Sequence, residues 1–447
     1  MDTEAPTCEY LASVQDAQVT LPDGDGYDAV HDRMLSLWSR SIYSGNYETA
    51  IKIEELQYRE AVKRQEKVEN WDRWQADTFQ MRLALTQCIA EVRASAGAPE
   101  PVPGRCLLVY NNQSGLAHEA QLARNVLALR RRGHILDIEV VYLLGPVRDR
   151  EAAQEMFGTK SIHYLQARGF EEAGGRLNAL CHERRVASVV YPSSFILAFW
   201  MSLFVAHPNQ KFLQMKYYPL HAGRIRRWAG GQRNADRLYT INGHAFEQLP
   251  VLDFLPKDAC SLGDRIEPEG PAILGSISRS EKIVDPDYNR FIESALQRHP
   301  QLRYAFTGNA SNRGLIPRAI REHPRTDCWG WVKPQEVIDK FSIYLEPFPW
   351  GGGDMTFLAL ARGLPYLILK TPETERFGVW SYLKMISDSQ GPLTAFSFCD
   401  DLGVLNERLD RLLAEPGLRR DLGRAWKNAV SNFRPGHEEV WVDFLCR

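Results

Sequence analysis

Three consecutive glycines and an aspartate, Gly351–Gly352–Gly353–Asp354, stand inside "EPFPWGGGDMTFLALARGLP" (346–365). A hydrophobic lead-in precedes them and an apolar helix pattern ending on Gly-Leu-Pro follows. At a strand-to-helix turn, unpaired backbone N–H groups and the positive end of the helix dipole favour an anion. Glycine lets a phosphate approach the backbone closely because no Cβ intervenes. Gly351, Gly352, Gly353, Asp354, Met355 and Thr356 are therefore candidates for holding a phosphate group. The same residues suit a sharp turn with Asp354 as a helix N-cap, and spacing alone leaves both readings open. The pattern is neither G-x-G-x-x-G nor a P-loop.

A second group, "GSISRSEKI" (275–283), again follows a strand pattern and supplies Ser278, Arg279 and Lys282. A guanidinium that forks onto oxygens and an ammonium acting as a point charge suit a diphosphate. The other reading is a solvated loop capped by Ser280. In "NNQSGLAHE" (111–119), Ser114–Gly115 makes a flexible turn, and His118 and Glu119 are groups able to move a proton near neutral pH. Equally, both could face solvent in a first helical turn. "QMKYYPLHAGRIRRW" (214–228) interleaves Lys216, Tyr217, Tyr218 and His221 in a loop suited to a sugar, a diphosphate, a peptide or helix packing. "DPD" (285–287) is like a metal-binding D-x-D, but Pro286 fits the first position of a helix capped by Asp285, so no metal is expected.

The elements that must position these groups are legible in the patterning. Residues 1–98 have helical spacing of apolar residues with many charges and few breakers. A Pro/Gly linker, "AGAPEPVPG" (96–104), ends that region. Beyond it strands and helices alternate, which implies parallel sheets covered by helices. The fold class expected is α/β, with two Rossmann-like domains facing a cleft and an N-terminal helical region. The boundaries drawn are 1–98, 99–258 (acceptor side) and 259–447 (donor side). Ligands in such folds sit outside the carboxyl ends of strands, against helix N-termini.

Totals narrow the function classes. With 447 residues the chain exceeds one compact core, and 44% hydrophobic with 25% charged residues is ordinary for a globular protein. A net charge of −2 argues against general nucleic-acid binding. The eight cysteines form no C-x-x-C pair, and free thiols fit a reducing compartment. The first residues lack a basic-then-apolar signal segment, and "SSFILAFWMSLFVA" (193–206) is too short for a membrane span and fits a buried helix. The location expected is cytoplasmic.

Taken together, these motifs resemble the GT-B glycosyltransferases, and within them glycosyltransferase family 41, the family of O-GlcNAc transferases and bacterial cytoplasmic N-glycosyltransferases. "PFPWG…GLP" followed by "KTPE" (370–373) matches the bacterial pattern without a gap. Lys282 falls where the family's lysine grips the nucleotide diphosphate. "WGWVKPQE" (329–336), with Trp331 and Val332, is similar to the segment that holds uracil through backbone atoms. "HPNQ" (207–210) looks like an acceptor-side segment. The resemblance covers 270–375 well, 105–250 in patches and 1–98 not at all. It departs at Leu358, where the family has a ribose-holding aspartate, with Asp354 the nearest substitute. It implies metal-independent, inverting transfer from a UDP-sugar onto a protein or peptide side chain; the family's catalytic histidine has no ungapped counterpart here, and His118 or Glu119 is the candidate base. Glu346 and Asp354 sit eight apart, an echo of the E-x7-E of retaining family 4 enzymes acting on small molecules or glycans. An epimerase of the same fold, or a sugar-nucleotide-binding protein without turnover, are the other readings.

Overall fold

The computed structural model describes residues 27–63, 76–78, 82–83, 85–86, 99–113, 117–192, 195–214, 223–231, 237–241, 244–252, 265–266, 268–308, 314, 316–349, 351–376, 379–389, 391–433 and 438–447. Strands β1 (Arg105–Tyr110), β2 (Asp137–Leu144), β3 (Ile162–Ala167), β4 (Ser188–Pro192), β5 (Gln210–Gln214), β6 (Arg227–Gly231), β7 (Leu238–Ile241) and β8 (His244–Leu249) form one sheet. Its order is β3-β2-β1-β4-β5-β6-β8-β7, parallel except for the β7–β8 pair. A second, all-parallel sheet holds β9 (Ile273–Ser276), β10 (Arg303–Phe306), β11 (Thr326–Cys328), β12 (Ile343–Leu345), β13 (Tyr366–Leu369) and β14 (Phe398–Cys399). Their order is β11-β10-β9-β12-β13-β14. The central strands read as continuous apolar runs because helices cover both faces; β1 is buried from Cys106 to Tyr110.

Local sequence explains the helices that matter for the site. Asp285 accepts from the N–H groups of Asp287 and Tyr288, and Pro286 opens the helix Pro286–Arg298. The first carboxylate of "DPD" is thus engaged in capping. Phe195–Phe204 is a helix whose described side chains are mostly buried, as its all-round apolar sequence requires.

Two segments lie elsewhere than the boundaries read from sequence put them. The helices Tyr27–Tyr43 and Tyr47–Lys63 pack onto the first sheet: Trp38, Ala50, Ile51 and Ile53 share a core with Leu107, Val109 and Trp200. Buried Glu54 ties them there, accepting from Arg82 Nε at 2.6 Å and Trp200 Nε1 at 2.8 Å. The helix Glu439–Cys446, drawn with the second unit, packs on the opposite face of the first sheet. There Val440, Trp441, Phe444 and Leu445 join Cys106, Leu108 and Leu213. Its last carbonyls, which a helix cannot satisfy internally, accept from first-sheet side chains. Lys211 Nζ donates to Phe444 at 2.6 Å, Arg227 to Asp443 at 3.1 Å, and Ser188 to Leu445. Burial lowers the Lys211 ammonium to a pKa of about 8. Amphipathic spacing shows that a helix is covered on one face and is silent on which sheet covers it. No helix among the described residues is long and apolar enough to cross a membrane.

Candidate active site

In the second sheet the strand order reverses between β9 and β12, and ligands of doubly wound sheets bind at that switch point. The two loops leaving these strands carry the serine-cation and glycine motifs. Ser276, at the end of β9, donates to the Leu345 carbonyl of β12 at 2.6 Å and lies 2.8 Å from the Tyr288 hydroxyl. The strands approach closely because Gly275 has no side chain; a Cβ there would lie 1.7 Å from the Phe341 ring.

After β9 the chain is held by β10. The Ser278 N–H donates to Thr307 Oγ1 at 2.9 Å, and that hydroxyl donates back to the Ser278 carbonyl at 3.0 Å. Gly308 leaves room for Ser280, whose Oγ would be 2.0 Å from a Cβ. Arg279 is exposed and precedes the short turn Ser280–Lys282. Lys282 Nζ then donates to the Gly351 carbonyl at 2.6 Å, so the lysine and the tri-glycine turn meet.

The turn has its own scaffold. Gly351 and Gly353 have φ of +65° and +64°, values that favour glycine. Gly353 caps the helix Asp354–Ala361. Gly352 donates its N–H to buried Glu346, which also accepts from Thr356 Oγ1 at 2.7 Å. Burial raises the Glu346 pKa, opposed by these two bonds and by Lys282. A Cβ at Gly352 would press on Thr356 Oγ1 at 3.1 Å and the Tyr344 hydroxyl at 3.3 Å. Asp354 does not act as the N-cap. Its carboxylate pairs with Arg124 of the first unit at 2.8 Å, both side chains being about 15% exposed.

Toward the sheet edge, Trp331 is 82% exposed and Val332 half-buried, in the loop after β11. Trp329 packs on Phe341 with ring centroids 5.1 Å apart, and Gly308 N–H donates to the Gly330 carbonyl at 3.0 Å. With strands about 4.8 Å apart, this loop lies roughly 10 Å from the end of β9, a distance a nucleoside can span.

On the facing unit, His118 and Glu119 lie in the first turn of the helix Ala117–Arg131. Glu119 is 3% exposed, not solvent-facing. Burial and then the Glu119 charge push up the Tyr110 and Tyr142 hydroxyls. A group so enclosed is poorly placed to take a proton from a bulky acceptor. The His118 side chain, and Ser114, Lys216, Tyr217, Tyr218 and His221, lie outside the described residues. Among the described residues no cluster of His, Cys, Asp or Glu could hold a metal ion.

No family model matches the chain, and no curated protein matches it in sequence. Solved structures do. A mutant O-GlcNAc transferase from Thermobaculum terrenum superposes with a TM-score of 0.53 at 14% identity, covering 93% of this chain and 85% of that one. The chain has the GT-B fold. OtsA in its apo form (TM-score 0.49, 12% identity, 77% of this chain and 99% of that one) is a looser match. So is a UDP-GlcNAc 2-epimerase from Neisseria meningitidis bound to UDP-GlcNAc (0.43, 11%, 76% and 98%). At those scores neither adds to the assignment.

Within this GT-B frame the motif reading missed Arg124, Thr307 and Gly308, and the structural role of Glu346. Arg124 sits mid-helix between Ala123 and Asn125, and nothing in sequence announces a reach of 230 positions to Asp354. Thr307 and Gly308 could have been found, since "TG" closes a strand whose neighbour carries the cations. Glu346 is visible as an acidic residue at a strand end, but its inward turn is a tertiary fact.

Proposed function

We propose that this chain is a glycosyltransferase that moves a sugar from a nucleoside diphosphate donor, UDP-linked, onto a protein side chain, with inversion and without a metal ion, in the manner of family 41. The observation that carries this reading is the 2.6 Å contact of Lys282 with the tri-glycine turn at the switch point. An ammonium, a neighbouring guanidinium and the amide end of a helix converge where a leaving diphosphate gains negative charge. Fixed donors aimed at developing charge are the largest source of rate in such reactions. The acceptor nucleophile attacks the anomeric carbon, its proton goes to His118, and the carbon–oxygen bond to the diphosphate breaks. Arg279 and Lys282 then supply the countercharge, with Ser278, Gly351, Gly352, Gly353, Met355 and Thr356 binding phosphate and the Trp331–Val332 loop binding the base. The described cysteines are all free, which accords with a reducing, cytoplasmic setting.

The retaining alternative is disfavoured by Glu346. Both of its oxygens are engaged with Gly352 and Thr356, and it is 0% exposed, so it serves the turn and has no face toward a sugar. The test is a panel of nucleotide sugars read by thermal shift, since a ligand specific for the folded state raises its melting temperature. UDP-sugars are expected to stabilise the chain; stabilisation by none of the panel overturns the reading.

A further inference from the structure

We propose that Arg124 completes the donor site from across the cleft by neutralising Asp354, so that a nucleoside diphosphate is held well only when the two units are closed. This deepens the donor assignment above and rests on it. Asp354 is the first residue of the helix Asp354–Ala361, whose amide end lies beside the Lys282–Gly351 contact. A carboxylate in that place repels a diphosphate, and the resemblance offers it only a ribose-holding role. The structure gives it another partner: Asp354 Oδ2 accepts from Arg124 Nη2 at 2.8 Å, with 15% and 14% of the two side chains exposed. Charges so enclosed are screened little by salt.

Arg124 has further capacity. Its Nε is buried and has no hydrogen-bond partner among the described residues. One edge of the planar fork therefore covers the carboxylate while Nε is held buried. Arg124 belongs to the helix Ala117–Arg131 of the first unit, so opening the cleft would withdraw it. Asp354 would then stand uncompensated against the diphosphate. Closure and donor binding favour each other, and by linkage each strengthens the other by the same factor. Arg124 is a positioning residue in this scheme, acting through Asp354.

The test titrates UDP calorimetrically into the full chain and into Arg124→Gln, Asp354→Asn and the double variant, with melting curves to verify folding. Arg124→Gln should weaken UDP at least fivefold, and Asp354→Asn should bind no more weakly than the parent. The double variant should return to within about twofold of the parent, because no carboxylate is left to cover. Arg124→Lys, which keeps the charge, serves should Arg124→Gln unfold, and should retain affinity within about threefold because the Asp354 contact is a single charge-assisted bond. Parental affinity in Arg124→Gln, or a double variant as weak as Arg124→Gln, overturns the inference. So does an Arg124→Lys chain that loses fivefold or more. No binding by the parent chain overturns the donor assignment itself, a separate outcome.

Discussion

Glu346 shows how much one side chain can fix. It is fully buried, its carboxylate accepts the Gly352 N–H and the Thr356 hydroxyl, and burial pushes its pKa upward. Glu346→Gln keeps the shape but offers one acceptor oxygen and an amide that opposes the Gly352 donor. A buried donor left unsatisfied costs about 1–3 kcal/mol. The unfolding free energy of Glu346→Gln should fall by that amount and UDP affinity with it; an unfolding free energy unchanged within error would contradict the anchoring role. Residue chemistry was only partly legible in sequence. Lys282 and the glycines could be read because charge and missing side chains act locally. Asp354 could not, because its partner comes from another sheet, and Glu119 proved enclosed where sequence allowed a solvent-facing turn.

Secondary elements set the spacing of the site. The β9–β12 approach needs a bare backbone at Gly275, with Phe341 filling the space a Cβ would take. Overpacking a close-packed core costs about 1–3 kcal/mol or more. Gly275→Ala should therefore lower the melting temperature, and Phe341→Leu in the same chain should recover part of the loss. A Gly275→Ala protein melting like the parent would show that the strands can separate without cost. Much of this level was legible in the sequence. The helix 286–298 with its Asp285 cap, strands β9 to β13 of the second sheet and the buried helix around 195–204 follow from patterning and capping chemistry; the two-residue β14 is too short to read. Strand β3 and the β6–β8 segment were not read: β3 shows no clean alternation, its middle being half-buried, and β6 ends in small residues. The helix Pro334–Val337 tightens into a 3-10 turn, Ile338–Lys340, before Phe341.

At the scale of the whole molecule, the two sheets are fastened twice. The closing helix returns to the first sheet, with Lys211, Arg227 and Ser188 on its last carbonyls, and Arg124 reaches the second unit directly. Sequence reading found two α/β units and a cleft. It could not see the closing helix cross back or the N-terminal helices join the first core, because both depend on which apolar face meets which. The described chemistry meets at the β9–β12 switch point, where Lys282 reaches the tri-glycine turn, and the occupant of that place is the central claim. Calorimetric titration of UDP into the intact chain and into Lys282→Ala tests it most directly. Loss of a charge-assisted phosphate contact should weaken binding about tenfold, near 1.4 kcal/mol. The account predicts saturable one-site binding in the parent and that loss in the folded variant. No binding by the parent, or equal affinity in Lys282→Ala, would contradict it.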